Sequence, residues 1–411
     1  MWRRSRAAAA PGGKRRFRLL IARAELDYDR DAVARALLEL AQWMRGQGHE
    51  VTLLRLAGHA PEDGTERAGL GEWLIPARRT ASHRGQKVLN LWYLLASGVV
   101  VTLRRRRFDT ILTVDTPTGV ELLGLLAKRV AGPDVRHVTW VLDLWADQER
   151  ALELRSDGGS LLARARTRVD NLGGNSSDVV VTLGSCMREA LIRRGVSSSV
   201  EVIPMWQKKE RLARVDDGAL RRRLGLGDRF VVLYSGHATH RHPLQAFVGA
   251  AELLRDDPRV LFALAGTGDR IEQVRRQAAA AGLANLRVLP RVPESEVAAL
   301  LSSGGLHVVS LDLRATGTCV PSKTYAAMAV ARPVAFLGSP ECQSALDVTA
   351  GGGGLVLDPD DSEGLAAFVR KLLDGPEAEA YGRRGLEFFL AERELDIAGR
   401  RWLDVLRPAK A

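Results

Sequence analysis

Residues 306–336, LHVVSLDLRATGTCVPSKTYAAMAVARPVAF, decide how the chain is organised. Leu306 to Leu311 is a short apolar run with two adjacent valines, the composition of a parallel strand buried on both faces. A loop bearing Gly317 and Thr318 follows. Pro321 then suits the first turn of a helix, because its φ is already fixed and its missing N–H has no partner to lose there. The helix is expected over Ser322–Val330, Arg332 and Pro333 stop it, and Val334–Leu337 starts the next strand. A strand that passes through a loop into a helix N-terminus leaves unpaired N–H groups aimed at the loop, an arrangement that holds an anion.

The same alternation extends outward. Phe230–Leu233 and Val260–Ala265 read as strands, the first emptying into YSGHATHRHP (Tyr234–Pro243), the second into the turn Gly266, Thr267, Gly268 ahead of a helix over Arg270–Ala281. Arg287–Leu289 leads to Pro290, Arg291 and Val292. Nearer the N-terminus, strands are expected at Phe17–Ala22, Val51–Leu56, Thr110–Val114, Arg136–Leu142, Asp178–Leu183 and Val200–Ile203. Helices over Asp31–Gly46, Val120–Val130, Ser160–Leu172 and Met187–Arg194 separate them, the last capped by Ser185. Downstream, Glu341–Val348, Gly364–Leu373, Glu377–Leu390 and Leu395–Leu406 read as helices, and Gly351–Gly354 as a loose loop before the strand Leu355–Leu357. Strand and helix in turn predict an α/β protein whose ligands sit at the carboxyl edges of parallel sheets. With 411 residues, 46% of them hydrophobic, the chain can fill two cores.

A formal charge of +11 implies an anionic partner: a phosphorylated ligand, an acidic membrane or nucleic acid. The basic residues lack interleaved aromatics and any reading motif, which argues against specific nucleic acid. No G-x-G-x-x-G occurs, so a nicotinamide cofactor is disfavoured. Three widely spaced cysteines, Cys186, Cys319 and Cys342, indicate neither a disulfide framework nor a metal knuckle and fit a reducing cytoplasm. The opening MWRRSRAAAAPGGKRRFR is basic, and its apolar run is too short for a secretory segment. His237, His240 and His242 have the spacing H-x-x-H-x-H, but one loop without cysteine or carboxylate makes a poor metal site. Phosphate contact through the Gly236 N–H and Arg241 is preferred, since guanidinium chelates phosphate.

The segment Pro321, Ser322, Lys323, Tyr325, Met328, Ala329, Arg332, Pro333, Val334 resembles the signature of the family 4 retaining glycosyltransferases, which often carry PSKLYEYMAAGKPV there. Bacterial fucosaminyl-type and other lipid-linked-sugar transferases are the most similar members. The resemblance extends to the YSG, GTG and DLW segments and to Pro204–Trp206. It departs at Thr318 and Ala326, eight residues apart, where many members have glutamates for the donor sugar and ribose, and at Ala331, usually glycine.

This resemblance implies the GT-B fold, two doubly wound Rossmann-like domains with a cleft between them. Residues 1–16 would be a basic arm, 17–205 the acceptor-side domain, 206–217 a linker and 218–390 the nucleotide-sugar-binding domain. Residues 391–411 would return as a helix to the first domain. It also implies sugar transfer from a nucleotide-diphosphate sugar, UDP being the expected nucleotide, with retention and with neither metal nor cofactor. Donor contacts would fall on Gly236, His237, Gly266, Thr267, Gly268, Arg291, Val292, Gly317, Thr318, Cys319, Val320, Pro321 and Ser322. Lys323 and Arg241 would stabilise the departing diphosphate. Asp143 or Asp115 would take the acceptor proton, and Asp27, Asp29, Arg30, Thr116 and Trp145 would lie on the acceptor side. A nucleotide-sugar epimerase of the same fold, or a non-catalytic basic protein that binds nucleic acid, is the alternative.

Val88–Leu103, VLNLWYLLASGVVVTL, is the most apolar window, flanked by Arg84 and Lys87 and by Arg104, Arg105, Arg106 and Arg107. It is short for a bilayer span. It reads either as a core helix or as a helix lying in an anionic membrane interface, which would place the protein peripherally at the inner face, in reach of lipid-phosphate acceptors.

Overall fold

The computed structural model describes residues 16–25, 32–57, 69–77, 82–114, 116–153, 161–215 and 217–409. The first domain comprises β1 (Arg18–Ala22), α1 (Ala32–Gly46), β2 (Glu50–Leu56), β3 (Gly71–Ile75), α2 (His83–Leu103), β4 (Thr110–Val114), α3 (Leu122–Ala131), β5 (Arg136–Val141), α4 (Trp145–Ala151), α5 (Leu161–Ser176), β6 (Val179–Thr182), α6 (Ser185–Arg193) and β7 (Ser199–Val202). The second comprises α7 (Gly218–Leu224), β8 (Phe230–His237), α8 (Gln245–Leu253), β9 (Val260–Thr267), α9 (Asp269–Ala280), β10 (Leu286–Leu289), α10 (Val297–Ser303), β11 (Leu306–Ser310), α11 (Lys323–Ala329), β12 (Val334–Leu337), α12 (Gln343–Ala350), β13 (Gly354–Leu357), α13 (Ser362–Asp374) and α14 (Glu377–Glu392). Helix α15 (Leu395–Leu406) closes the chain.

The sheet orders are β3-β2-β1-β4-β5-β6-β7 and β10-β9-β8-β11-β12-β13, and every pairing is parallel. Both orders reverse direction beside their first strand, at β1/β4 and β8/β11, and that point opens a crevice at the carboxyl edge. Central strands β4, β6, β11 and β12 are buried along their whole length, rich in β-branched and apolar residues with a few buried threonine, serine and histidine side chains among them.

Helix α15 buries Leu395, Ala398, Gly399, Trp402, Leu403 and Leu406, one stripe of a helical period. The stripe packs on the first domain: Trp402 meets Trp140 edge-on at 5.0 Å, and Trp140 stacks on Trp206 at 5.5 Å. Gly399 is needed there, because a Cβ would come within 2.6 Å of the Trp43 ring. The two crossings between domains run together, with the Gln207 N–H donating to the Arg393 carbonyl.

The expected helix over Ser322–Val330 is shorter. It begins at Lys323, with Ser322 in front of it and Pro321 outside. The Gly351–Gly354 stretch is not loose: a Cβ on Gly353 would lie 2.9 Å from the Gly385 Cα, so these glycines allow α14 to approach β13 closely. Ser185 does not cap α6 but opens it, and Gly184 precedes it.

Asp347 on α12 is buried and accepts from Arg393 Nε and Nη2 at 2.8 and 2.7 Å, Tyr325 Oη at 2.8 Å and Gln343 Nε2 at 2.9 Å. Removing the carboxylate leaves the buried guanidinium only the exposed Glu392 carboxylate, at 3.6 Å. Asp347→Ala should lower the unfolding free energy by about 3–5 kcal/mol, read as a lower urea midpoint at unchanged slope. A midpoint equal to the parent's would show that the ion pair carries no stability.

Candidate active site

The site begins where β8 and β9 end. Both strands run further than their apolar cores, through Gly236 and His237 and through Gly266 and Thr267, which pair with one another. The loop expected after Leu233 is therefore strand as far as His237. Glycine makes this pairing possible: a Cβ on Gly266 would sit 2.0 Å from the Gly236 carbonyl oxygen, and one on Gly236, at φ +107°, 2.8 Å from Lys323 Cε.

Lys323 thus lies against bare backbone. Its Nζ donates to Tyr234 Oη at 2.6 Å and to the His237 carbonyl at 2.8 Å, and stands 4.3 Å from the centre of the Tyr234 ring. Burial, reinforced by the nearby Arg241 charge, brings the ammonium down from 10.5 to about 7. Above Lys323 opens a cavity of about 280 Å³ lined by Gly236, Gly266, Arg291, Val292, Ser322 and Lys323, with Ala326 among the walls. Arg35, Gln207, Arg211, Tyr234's neighbour Ser235 and Glu294 complete its rim from both domains. Sequence reasoning missed this rim, because α1, the linker and the segment before α10 meet only in the fold.

Arg241 does not face the cavity as a free cation. Its Nη1 reaches the first domain, bonding Asp143 Oδ1 at 3.0 Å and Gln148 Oε1 at 3.1 Å, while the guanidinium lies 5.5 Å from the Trp145 ring centre. Asp143 is the partner of this cross-domain clasp, and Leu144 stands between it and the first residue of α4. Gln148 was not foreseen. It also donates to Thr318 Oγ1 and Cys319 Sγ.

Of the expected donor contacts, Gly317 to Pro321 take the other side of the signature loop. Thr318 is buried, its hydroxyl donates to the Ala315 carbonyl at 2.7 Å, and its own carbonyl accepts from the Leu144 N–H. Its hydroxyl is spent inside the loop, away from the cavity walls. Cys319 and Val320 are likewise buried in the core shared by both domains, and the turn at Gly317 packs a Cβ-width from the Cys186 carbonyl. His237 Nδ1 is bonded to Thr267 Oγ1, and Gly268 leads into α9. Thr116 follows β4 at the first sheet's carboxyl edge. Asp27, Asp29, Arg30 and Asp115 lie outside the described residues. His242 is buried and held neutral by burial and surrounding positive charge, and Thr239 N–H donates to its Nδ1. Among the described residues no group of three His, Cys, Asp or Glu side chains is placed to hold a metal ion.

Residues 31–206 match the Glycosyl transferase 4-like domain, and residues 229–375 match Glycosyl transferases group 1. The chain belongs to the GT-B glycosyltransferases. WcaI of Escherichia coli strain K12, named as a glycosyl transferase of colanic acid biosynthesis, is 27% identical over 383 residues, covering 87% of this chain and 91% of its own. A GDP-mannose-dependent α-(1-6)-phosphatidylinositol monomannoside mannosyltransferase of Mycolicibacterium smegmatis is 29% identical over 261 residues, 61% of this chain and 67% of its own. In fold, this glycosyltransferase is similar to HepE of Anabaena, solved with UDP and glucose, at a TM-score of 0.70 and 16% identity, covering 95% of this chain and 99% of that one.

The depressed Lys323 pKa has a sign that can be measured. The unfolded chain holds the proton up to 10.5 and the folded one only to about 7, so stability at this residue rises as pH climbs through that window. An anion seated against Lys323 would favour the charged ammonium and restore the proton. Affinity for inorganic pyrophosphate as a probe should therefore fall above pH 7, by up to about tenfold per pH unit, with proton uptake in calorimetry. Lys323→Met should abolish the uptake, and an equal uptake in that variant would assign the titration elsewhere.

Proposed function

We propose that this glycosyltransferase moves a sugar from a nucleoside diphosphate donor, UDP-linked by expectation, to a lipid-phosphate acceptor at the cytoplasmic face of a membrane, with retention and without a metal ion. The observation that carries the donor reading is Lys323, an ammonium held against glycine backbone on the floor of a cavity whose other cations are Arg35, Arg211 and Arg291 and whose rim carboxylate is Glu294. When the anomeric C–O bond breaks, its electron pair leaves on the diphosphate. A fixed positive charge at that oxygen does what a divalent cation does in other transferases. Retention places the acceptor on the face from which the diphosphate departs.

The acceptor reading rests on α2. Its inner face buries Leu89, Tyr93, Ser97 and Val101, and the Tyr93 hydroxyl donates to the Leu54 carbonyl. Its outer face exposes Val88, Leu91, Trp92, Leu95, Val99 and Leu103, most of them more than half exposed. The core reading thus describes the inner face, and the interface reading rests on the outer one. Arg104 to Arg107 are exposed beyond its C-terminal end, and Arg104 stacks 5.0 Å from the Trp73 ring centre. An apolar stripe bordered by arginines fits an anionic lipid surface. The lipid named in the mycobacterial relative's substrate points the same way.

A panel of UDP- and GDP-sugars, scored by protection from melting and by hydrolysis, identifies the donor. Lys323→Ala should cut turnover by about 10²–10³-fold with an unchanged circular dichroism spectrum, whereas parental turnover in that variant would remove the ammonium from the mechanism. For the membrane, the full chain should co-sediment with vesicles containing phosphatidylglycerol and be released by salt. Leu95→Glu combined with Val99→Glu should abolish the sedimentation and leave donor hydrolysis intact. Retained sedimentation would show that α2 is not the contact.

A further inference from the structure

The turn that follows α2 carries four arginines in a row. Arg104, Arg105, Arg106 and Arg107 are all exposed, and together with Trp73 and Leu103 they line an open cavity of about 690 Å³. Among the described residues, no acidic side chain stands in that lining. The acids on either side are already engaged: Glu72, next to Trp73, pairs with Arg55 at 2.8 Å, and Asp109 pairs with Arg18 at 2.5 Å. The C-terminal dipole of α2 offers only about half a negative charge. Four guanidinium groups therefore share one concave surface with no acid of the described residues to balance them.

The backbone beneath them is fixed. Arg107 N–H donates to the Arg104 carbonyl at 2.9 Å, which closes the turn, and Arg18 Nη1 donates to the Arg106 carbonyl at 2.6 Å. Arg18 is itself held by Asp109 through both its backbone N–H and its guanidinium. Arg104 lies 5.0 Å from the Trp73 ring centre, and Trp73 meets the buried Phe108 edge-on at 6.3 Å. The wall thus joins cations to a half-buried indole and to Leu103, which is 74% exposed. Free phosphate would use the cations and leave the leucine in water. A phosphate carried on acyl chains uses both.

We propose that this turn is a binding site for the headgroup of a phosphomonoester lipid, remote from the catalytic cavity. The proposal rests on the membrane reading of α2 and narrows it to one lipid chemistry. A phosphodiester headgroup brings a single negative charge, whereas a phosphomonoester brings about two and an additional terminal oxygen. The extra oxygen admits contacts from more than one guanidinium, each able to bond in bidentate fashion. Clustered positive charge also favours the doubly ionised ester. The turn lies at the amino edge of the first sheet, and α2, 21 residues long, puts about 30 Å between it and the carboxyl edge on which the crevice opens. A lipid held here is therefore not the acceptor. It pins the C-terminal end of α2 at headgroup depth and makes attachment depend on which anionic lipid the leaflet contains.

The test uses short-chain lipids below their micelle concentration, so no bilayer is needed. In titration calorimetry the full chain should bind dihexanoyl phosphatidic acid at least about tenfold more tightly than dihexanoyl phosphatidylglycerol, the worth of one added charge-assisted contact. Arg105→Gln combined with Arg106→Gln should remove that preference with an unchanged circular dichroism spectrum, since both side chains are exposed and the Arg106 carbonyl keeps its bond to Arg18. Three results overturn the proposal: equal affinity for the two lipids, a preference that survives the double substitution and so belongs to another cavity, or inorganic phosphate bound as tightly as phosphatidic acid, which makes the ligand a soluble anion. A parent chain that shows the preference but does not sediment with vesicles would sink the membrane reading of α2 and leave this site standing.

Discussion

One buried carboxylate sets the positions of the parts that matter. Asp347 takes the Arg393 guanidinium, the Tyr325 hydroxyl and the Gln343 amide together. Tyr325 belongs to α11, two residues after Lys323, and Arg393 sits at the return crossing that leads into α15. A charge pair in this setting costs heavily in desolvation and is repaid only when all its lone pairs are used. Here they are used by three separate elements. The signature helix, the helix facing the first domain and the return to that domain are consequently registered against one atom group.

That registration lets an ammonium be kept where an ammonium is uncomfortable. Lys323 is desolvated, stands near Arg241, and has for partners only a phenol and a carbonyl. Glycine at 236 and 266 removes the side chains that would otherwise occupy the space above it. The site is thus organised for an anion before the anion arrives, and most of the cost is met in folding. The clasp from Arg241 to Asp143 and Gln148 spans the seam beside it and couples that electrostatic balance to the separation of the domains.

The two-domain α/β plan was legible because strands buried on both faces are written as continuous apolar runs, and the Lys323 helix because proline, lysine and a following arginine-proline stop stand at telling offsets. Strand β3, GEWLI, escaped notice, being a short edge strand exposed at three of its five positions. The extension of β8 to His237 escaped because glycine reads as a turn, whereas here it permits pairing at close range. Arg241 was recognised as important and expected at phosphate, while its ion pair with Asp143, 98 residues away, has no mark in the sequence. Gln148 carries no sequence signal at all. Helix α2 defeated periodicity for a plain reason: both of its faces are apolar, so pattern alone cannot tell the packed side from the open one.

The course of α2 also fixes an orientation. At its start Gln86 bonds Glu25, just past the carboxyl edge of β1, and beyond its end Arg18, at the amino edge of the same strand, bonds the Arg106 carbonyl. The helix therefore runs antiparallel to the strands beneath it over the depth of the sheet. Laid flat on a bilayer, it would align those strands with the plane of the leaflet, and the crevice would open sideways, level with the headgroups. On the acceptor reading proposed above, a lipid-anchored acceptor would then arrive by lateral drift within the leaflet, with no need to be lifted out of it.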